Sequence, residues 1–235
     1  MPTTPTTRLV NGAEVLDRRL GRILQFDPAV RNFPIRPTLP PIAKGRSMTW
    51  FCTTYLDQGN VGACVGFALC HEAIARPDVR PNVSHTTAMQ VYKRAQELDP
   101  WPGTDYEGTS VLAGMKAGVE QGWYQEFRWA FSLDDLILGV GYHGSAIIGI
   151  NWYTGMFNVD SNGFIHVTGS IAGGHCLILK GVSVPKQKFR LHNSWGKSWG
   201  MNGDAFISFA DMERLLNEQG EAAFPRPPSR GARRF

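Results

Sequence analysis

The run from Cys64 to Ala75 carries apolar side chains (Val65, Phe67, Ala68, Leu69, Ala73, Ile74) on most sides of a helical wheel. Such a helix has no face to offer to water, so it must lie inside the fold with other elements packed around it. Arg76-Pro77 ends the pattern, since the residue before a proline is driven out of the helical region. Ahead of it, Gln58-Gly59-Asn60-Val61-Gly62-Ala63 reads as a glycine-loosened loop. Cys64 therefore falls in the first turn of a buried helix, where unpaired N–H groups and the positive end of the helix dipole favour thiolate over thiol. Gln58 is close enough upstream to fold back over the sulfur. Its side-chain N–H and the Cys64 backbone N–H together would make an oxyanion hole. For a lone cysteine the plainer reading is a small buried apolar residue, and the rest of the chain decides between the two.

Helical patterns dominate the first half. Ser84 reads as the N-cap of a helix through about Glu97, with Ala88, Val91, Tyr92 and Ala95 on one face. Thr109 is expected to cap another (Val111, Leu112, Met115, Val119) that stops at Gly122. An aromatic stretch (Trp123, Tyr124, Phe127, Trp129, Phe131) reads as packing, and Leu133–Leu138 as a short helix. Strands follow: Ser145–Ile150, Phe164–Val167, Cys176–Val182, Phe189–Asn193 and Ala205–Ser208, then a short helix over Glu213–Asn217. Helices first and strands second define an α+β fold.

With 235 residues, 43% hydrophobic and 19% charged, the chain suits one large domain or two closely packed lobes around a sizeable core. It has no apolar run long enough to span a membrane and no signal-peptide core at Met1–Thr7. The net charge of +4 gathers largely in the tail at Arg226, Arg230, Arg233 and Arg234, which argues against a nucleic-acid-binding face. The cysteines are Cys52, Cys64, Cys70 and Cys176; their spacing matches no zinc pattern, and no metal or cofactor is expected.

Two further segments bear on Cys64. Gly173-Gly174-His175-Cys176-Leu177-Ile178-Leu179 is a glycine-led strand opening on a histidine, and Asn193-Ser194-Trp195-Gly196-Lys197-Ser198-Trp199-Gly200 ends in Gly203 two residues beyond Met201. The order Cys, His, Asn, with Gln58 and Gly62-Ala63 before the cysteine, resembles the papain-like cysteine peptidases over roughly residues 32–210. The resemblance implies a two-lobed fold: a helical lobe over about 50–135 carrying Cys64, an antiparallel β-sheet or barrel lobe over about 140–210 carrying His175, and the cleft between them. It also implies Cys64 as nucleophile, His175 as acid and base, Asn193 as the residue orienting the ring, Trp195 covering that contact, and Gln58 in the oxyanion hole. The peptidase domain spans 31–222, between an extended arm at 1–30 and a basic Pro/Arg tail at 223–235. Thirty residues are too few for the family's helical propeptide, so a conventional zymogen is not expected unless this short arm itself lies in the cleft. Val61 stands where secreted relatives carry a disulfide cysteine, which favours a reducing compartment. Val65 replaces the family's usual aromatic.

The expected activity is peptide-bond hydrolysis through an acyl-thioester, on a peptide or protein substrate, without nucleic acid or membrane as partner. The alternatives are an amidase or transpeptidase acting on a non-protein or cell-wall acyl group, or a papain-fold structural component that meets an assembly partner through its termini. The expected location is cytoplasmic or phage-associated. His192 should point away from Asn193 by strand alternation, and Cys176 away from His175.

Overall fold

A computed structural model describes residues 7–9, 11–40, 44–75 and 83–226. The helix α1 (Cys64–Ala73) lies at its centre, with residues from Cys64 to Cys70 all buried. On one side α1 packs against α2 (His85–Leu98) and α3 (Val111–Glu120). Ser84 starts α2 by accepting from the Thr87 amide, and the Thr87 hydroxyl returns the contact to the Ser84 amide. Gly66 lets α1 and α2 approach closely: a Cβ there would collide with the Ala88 carbonyl and with Tyr92. Phe67 and Tyr92 bury almost completely at this junction, each contributing on the order of 2 kcal/mol from apolar area removed from water.

The other side of α1 faces a sheet. Two short strands, β1 (Thr7–Arg8) and β2 (Glu14–Val15), pair with each other outside it. The main sheet has seven strands, in the order β4 (Glu126–Trp129), β9 (Glu221–Arg226), β5 (Ala146–Tyr153), β6 (Ile171–Ser183), β7 (Lys188–His192), β8 (Asp204–Ser208), with β3 (Met48–Thr49) added to β6. All its pairings are antiparallel. The strand β6 is buried along most of its length because α1 covers one face while α4 (Leu133–Tyr142) packs on it as well. Its continuous apolar run, Cys176 to Leu179, is the pattern that burial on both faces requires. Helix α5 (Phe209–Asn217), capped by Ser208, sets Met212 and Leu215 into the core. The α+β class and the antiparallel sheet agree with the sequence reading.

Several boundaries differ, each for a local reason. The cap of α3 is Ser110, not Thr109: the Ser110 hydroxyl accepts from the Ala113 amide, while the Thr109 hydroxyl donates to Asp99. Helix α4 runs four residues past Leu138 to Tyr142, since Gly139 and Gly141 sit in its interior, packed against Phe224 and Arg46. Residues Phe164–Val167 form no strand. Asp160 gathers the amides of Asn162 and Phe164 into a tight turn, leaving only an isolated bridge from Phe164 to Phe206. Residues 223–226 are not the start of a free tail but the larger part of β9, inside the sheet between β4 and β5. Pro225 is tolerated because it lies beyond the stretch that β5 pairs. The remaining tail arginines, and the Arg76-Pro77 stop, lie outside the described residues.

Candidate active site

Cys64 is the first residue of α1 and is fully buried. The backbone N–H groups of Cys176, Gly21 and Val65 lie near enough to favour the thiolate, yet burial outweighs them and pushes the thiol up to about 11. This departs from the expectation of a thiolate favoured by its helix: desolvation wins while the sulfur is covered.

Gln58 is held by the segment that carries Asn193. Its backbone N–H donates to the Ser194 carbonyl, and the Ser194 hydroxyl donates to its side-chain oxygen at 2.7 Å. An isolated bridge from Asp57 to Trp195 fixes the same two segments together. With the oxygen fixed, the amide nitrogen has one orientation, donating to the carbonyls of Val61 at 2.7 Å and Arg19 at 3.0 Å.

His175 lies in β6 and Asn193 immediately after β7, and the antiparallel pairing of these strands brings them together. The His175 Nε2 meets the Asn193 Oδ1 at 2.8 Å, and the Ser194 amide donates to the same oxygen at 2.8 Å. An acceptor here fixes Nε2 as the protonated nitrogen and leaves Nδ1 free for other work. Trp195 lies over the pair, its ring 4.8 Å from that of His175, and Trp152 meets the imidazole edge-on at 4.9 Å. Burial pulls the imidazole down to about 4, against the opposing pull of Asn193. The His175 Nδ1 makes no hydrogen bond, and neither does the Asn193 Nδ2.

The N-terminal segment fills the groove between these walls. The Leu16 amide donates to the Ala172 carbonyl and the Arg22 amide to the Gly174 carbonyl, one residue before His175. On the other wall, Gly21 and Ile23 pair in parallel with Thr109. Glu107 holds loop and arm together, accepting from the Gly62 amide and from Arg18. The guanidinium of Arg19 sits 4.1 Å over the Trp195 ring, and Leu20 is fully buried. Gly21 has no alternative at its position, because a Cβ would collide with the Gly62 backbone carbonyl. The arm lies against both walls, and both residues are fully buried, Cys64 held as thiol and His175 as neutral imidazole.

The remaining histidines have other tasks. His192 does point away from Asn193; it contacts Asp204 at 2.6 Å and the Thr54 carbonyl, beside Lys180. His71 accepts from the Leu56 amide, and burial holds it well below its usual range. His166 pairs with Asp160. The residues that sequence reasoning missed are Arg19, Arg22 and Glu221. The signal for Arg19 and Arg22 was the glycine set between Leu20 and Arg22 within a basic run, and Glu221 had none.

No family model matches the chain, and no curated protein matches it. Solved structures do. Xylellain, a cysteine protease from Xylella fastidiosa, is 16% identical with a TM-score of 0.67, covering 91% of this chain and 98% of its own. Procathepsin B S9 from Trypanosoma congolense is 14% identical with a TM-score of 0.62, covering 90% of this chain and 88% of its own. The bromelain protease from Ananas comosus, solved with the E64 inhibitor, is 14% identical with a TM-score of 0.56, covering 79% of this chain and 100% of its own. The fold is that of the papain-like cysteine peptidases.

Proposed function

We propose that the chain is a cysteine peptidase that hydrolyses peptide bonds through Cys64, His175 and Asn193, and that it is latent while residues 16–23 occupy the groove. The observation that carries this reading is the 2.8 Å contact between His175 Nε2 and Asn193 Oδ1, which leaves Nδ1 of a ring on β6 without a partner while Cys64 lies close by under the Cys176 amide.

With the arm withdrawn, water returns and burial no longer opposes charge on either group, so a proton can pass from Cys64 to Nδ1 once the resulting ion pair stabilises it. An ion pair at about 4 Å gains on the order of 4 kcal/mol at an effective dielectric near 20, enough to hold the thiolate at neutral pH. The thiolate attacks the substrate carbonyl carbon. The oxyanion that forms takes the place now held by the Arg19 carbonyl, beside the Gln58 amide and the N-terminus of α1. His175 gives its proton to the leaving amine, and the carbon–nitrogen bond breaks to leave an acyl-thioester on Cys64. The neutral imidazole then takes a proton from water, whose oxygen displaces the sulfur and releases the acid. Asn193 holds the ring in plane throughout, under Trp195.

The test is labelling by an epoxide thiol probe with peptide mapping, alongside casein hydrolysis. The expected result is labelling of Cys64 alone and loss of both signals in Cys64→Ala with the fold retained. Labelling of Cys52, Cys70 or Cys176 in that variant, with hydrolysis unchanged, would move the nucleophile elsewhere.

A further inference from the structure

A second polar cluster lies where β6, β7 and β8 run side by side, and the proposed mechanism uses none of it. Lys180 on β6 and Arg190 and His192 on β7 converge on Asp204, the first residue of β8. The carboxylate is fully engaged. Its Oδ2 accepts from the Lys180 Nζ at 2.8 Å and from the Arg190 Nε and Nη2 at 2.7 and 2.6 Å, while its Oδ1 meets the His192 Nδ1 at 2.6 Å. An ionised carboxylate has about four lone-pair sites, so these donors exhaust it.

The charges do not balance. Two permanent cations face one carboxylate, and neither forms an ion pair with any other carboxylate of the described residues. The Arg190 Nη1 makes no hydrogen bond to a described residue, and the Lys180 ammonium has one oxygen acceptor for all its protons. Lys180 is only 4% exposed, so little solvent reaches it to satisfy the rest. Buried donors left unspent in this way are costly.

The cluster opens into a cavity of about 270 Å³, lined by Lys180 and Arg190 together with Thr49, Phe51, Thr53 and Tyr55. The hydroxyls of Thr49, Thr53 and Tyr55 have no partner among the described residues. Lys197 strengthens the positive field: its ammonium lies 5.0 Å from the centre of the Tyr55 ring, and that of Lys180 lies 5.8 Å from it. Phe51, exposed at the surface, gives the cavity an apolar wall.

The forked edge of Arg190 is already spent on Asp204, so the usual in-plane match to a ligand carboxylate is taken. What remains is a set of single donors on separate residues: Nη1, the ammonium and the hydroxyls. Such a set suits an anion that offers oxygens in several directions. We propose that this cavity binds a tetrahedral oxyanion of the phosphate or sulfate type, held by Arg190 and Lys180 with hydroxyl donors from the lining. The site stands whether or not Cys64 is a nucleophile. Phe51 borders the space left over, so the anion fits either free or as the ester of a small aromatic alcohol.

The experiment titrates the full chain with inorganic phosphate and with phenyl phosphate by calorimetry, at an ionic strength held constant with sodium chloride. One-site binding with a Kd below about 1 mM is expected, and the tighter probe tells the free anion from the ester. Arg190→Gln should weaken binding by about ten-fold or more, whereas Lys116→Gln, on the exposed side of α3, should leave it unchanged. Arg190 also supports Asp204, so a second readout uses the unaltered chain. Phosphate should slow phenylglyoxal modification of Arg190 by about five-fold or more, read by peptide mapping, while the exposed Arg36 reacts as before. Absence of saturable binding by both probes overturns the proposal. So does affinity that survives Arg190→Gln in a folded variant, or equal slowing at Arg190 and Arg36.

Discussion

The side-chain amide of Gln58 donates to the backbone carbonyl of Arg19 at 3.0 Å. A group suited to receive a developing oxyanion is thus satisfied by the chain's own arm. The same arm sets Gly21 beside the sulfur and Arg22 on Glu221, so three separate features of the groove are met by four consecutive residues.

Gly21→Ala should open the groove. The added methyl has no space beside the Gly62 carbonyl, and overpacking of this kind costs about 1–3 kcal/mol. Because it penalises only the closed arrangement, the open population should rise by roughly ten-fold or more. Iodoacetamide labelling of Cys64 measures this; an unchanged rate would show that the arm does not limit access.

His175→Ala and Asn193→Ala should differ in degree. In the proposed mechanism His175 moves the protons, and its loss should lower turnover by about a thousand-fold or more. In that mechanism Asn193 only orients the ring, so its loss should cost about ten- to a hundred-fold in kcat with KM little changed. Asn193→Ala should also lower stability by about 1–3 kcal/mol, because its Oδ1 holds the Ser194 amide. Equal losses in kcat would contradict the orienting role.

Acid should weaken the closed state. His175 is held neutral, with its folded value near 4 against an ordinary 6.5. Between these values the unfolded or arm-free chain takes up a proton that the closed chain does not. The stabilisation is complete above about pH 6.5 and is lost as pH falls toward 4, a change of about 3 kcal/mol at most. Glu221, pushed upward by burial, contributes in the opposite sense. Comparing the pH dependence of Tm for the parent chain and His175→Gln isolates the histidine, and the variant should show the flatter acid limb.

Asp204→Asn should be among the most destabilising single changes. Lys180, Arg190 and His192 all converge on this carboxylate at 2.6–2.8 Å, with Lys180 and His192 themselves buried. Removing the charge strands a buried ammonium, at a cost of about 3–5 kcal/mol. These partners hold the carboxyl below its usual range despite burial, so its contribution is present above that range and lost on acidification. Urea denaturation at neutral pH measures the change.

The candidate site was legible because its parts are local. Cys64 announces itself through an all-apolar helix with a glycine loop before it, and Asn193-Ser194-Trp195-Gly196 through a motif of high specificity. The helix α2 was legible through Ser84 and its apolar face. What escaped depends on contacts distant in sequence. β9 reads as tail because proline and arginine dominate its end, and only its pairing with β4 and β5 makes it a strand. The contact of Arg22 with Glu221 joins residues 199 positions apart. No period or spacing encodes such a meeting. The acid–base state of the site was misjudged for the same reason: dipole and imidazole were visible in the sequence, but the cover laid over them by residues 16–23 was not.

All four cysteines are unpaired and buried. A closed molecule consequently offers no thiol to a colourless reagent such as a disulfide dye, whereas withdrawal of the arm exposes one sulfur and leaves the other three inside the core. The stoichiometry of dye released from native protein would then count unlatched molecules directly, giving the chain an intrinsic gauge of its own readiness.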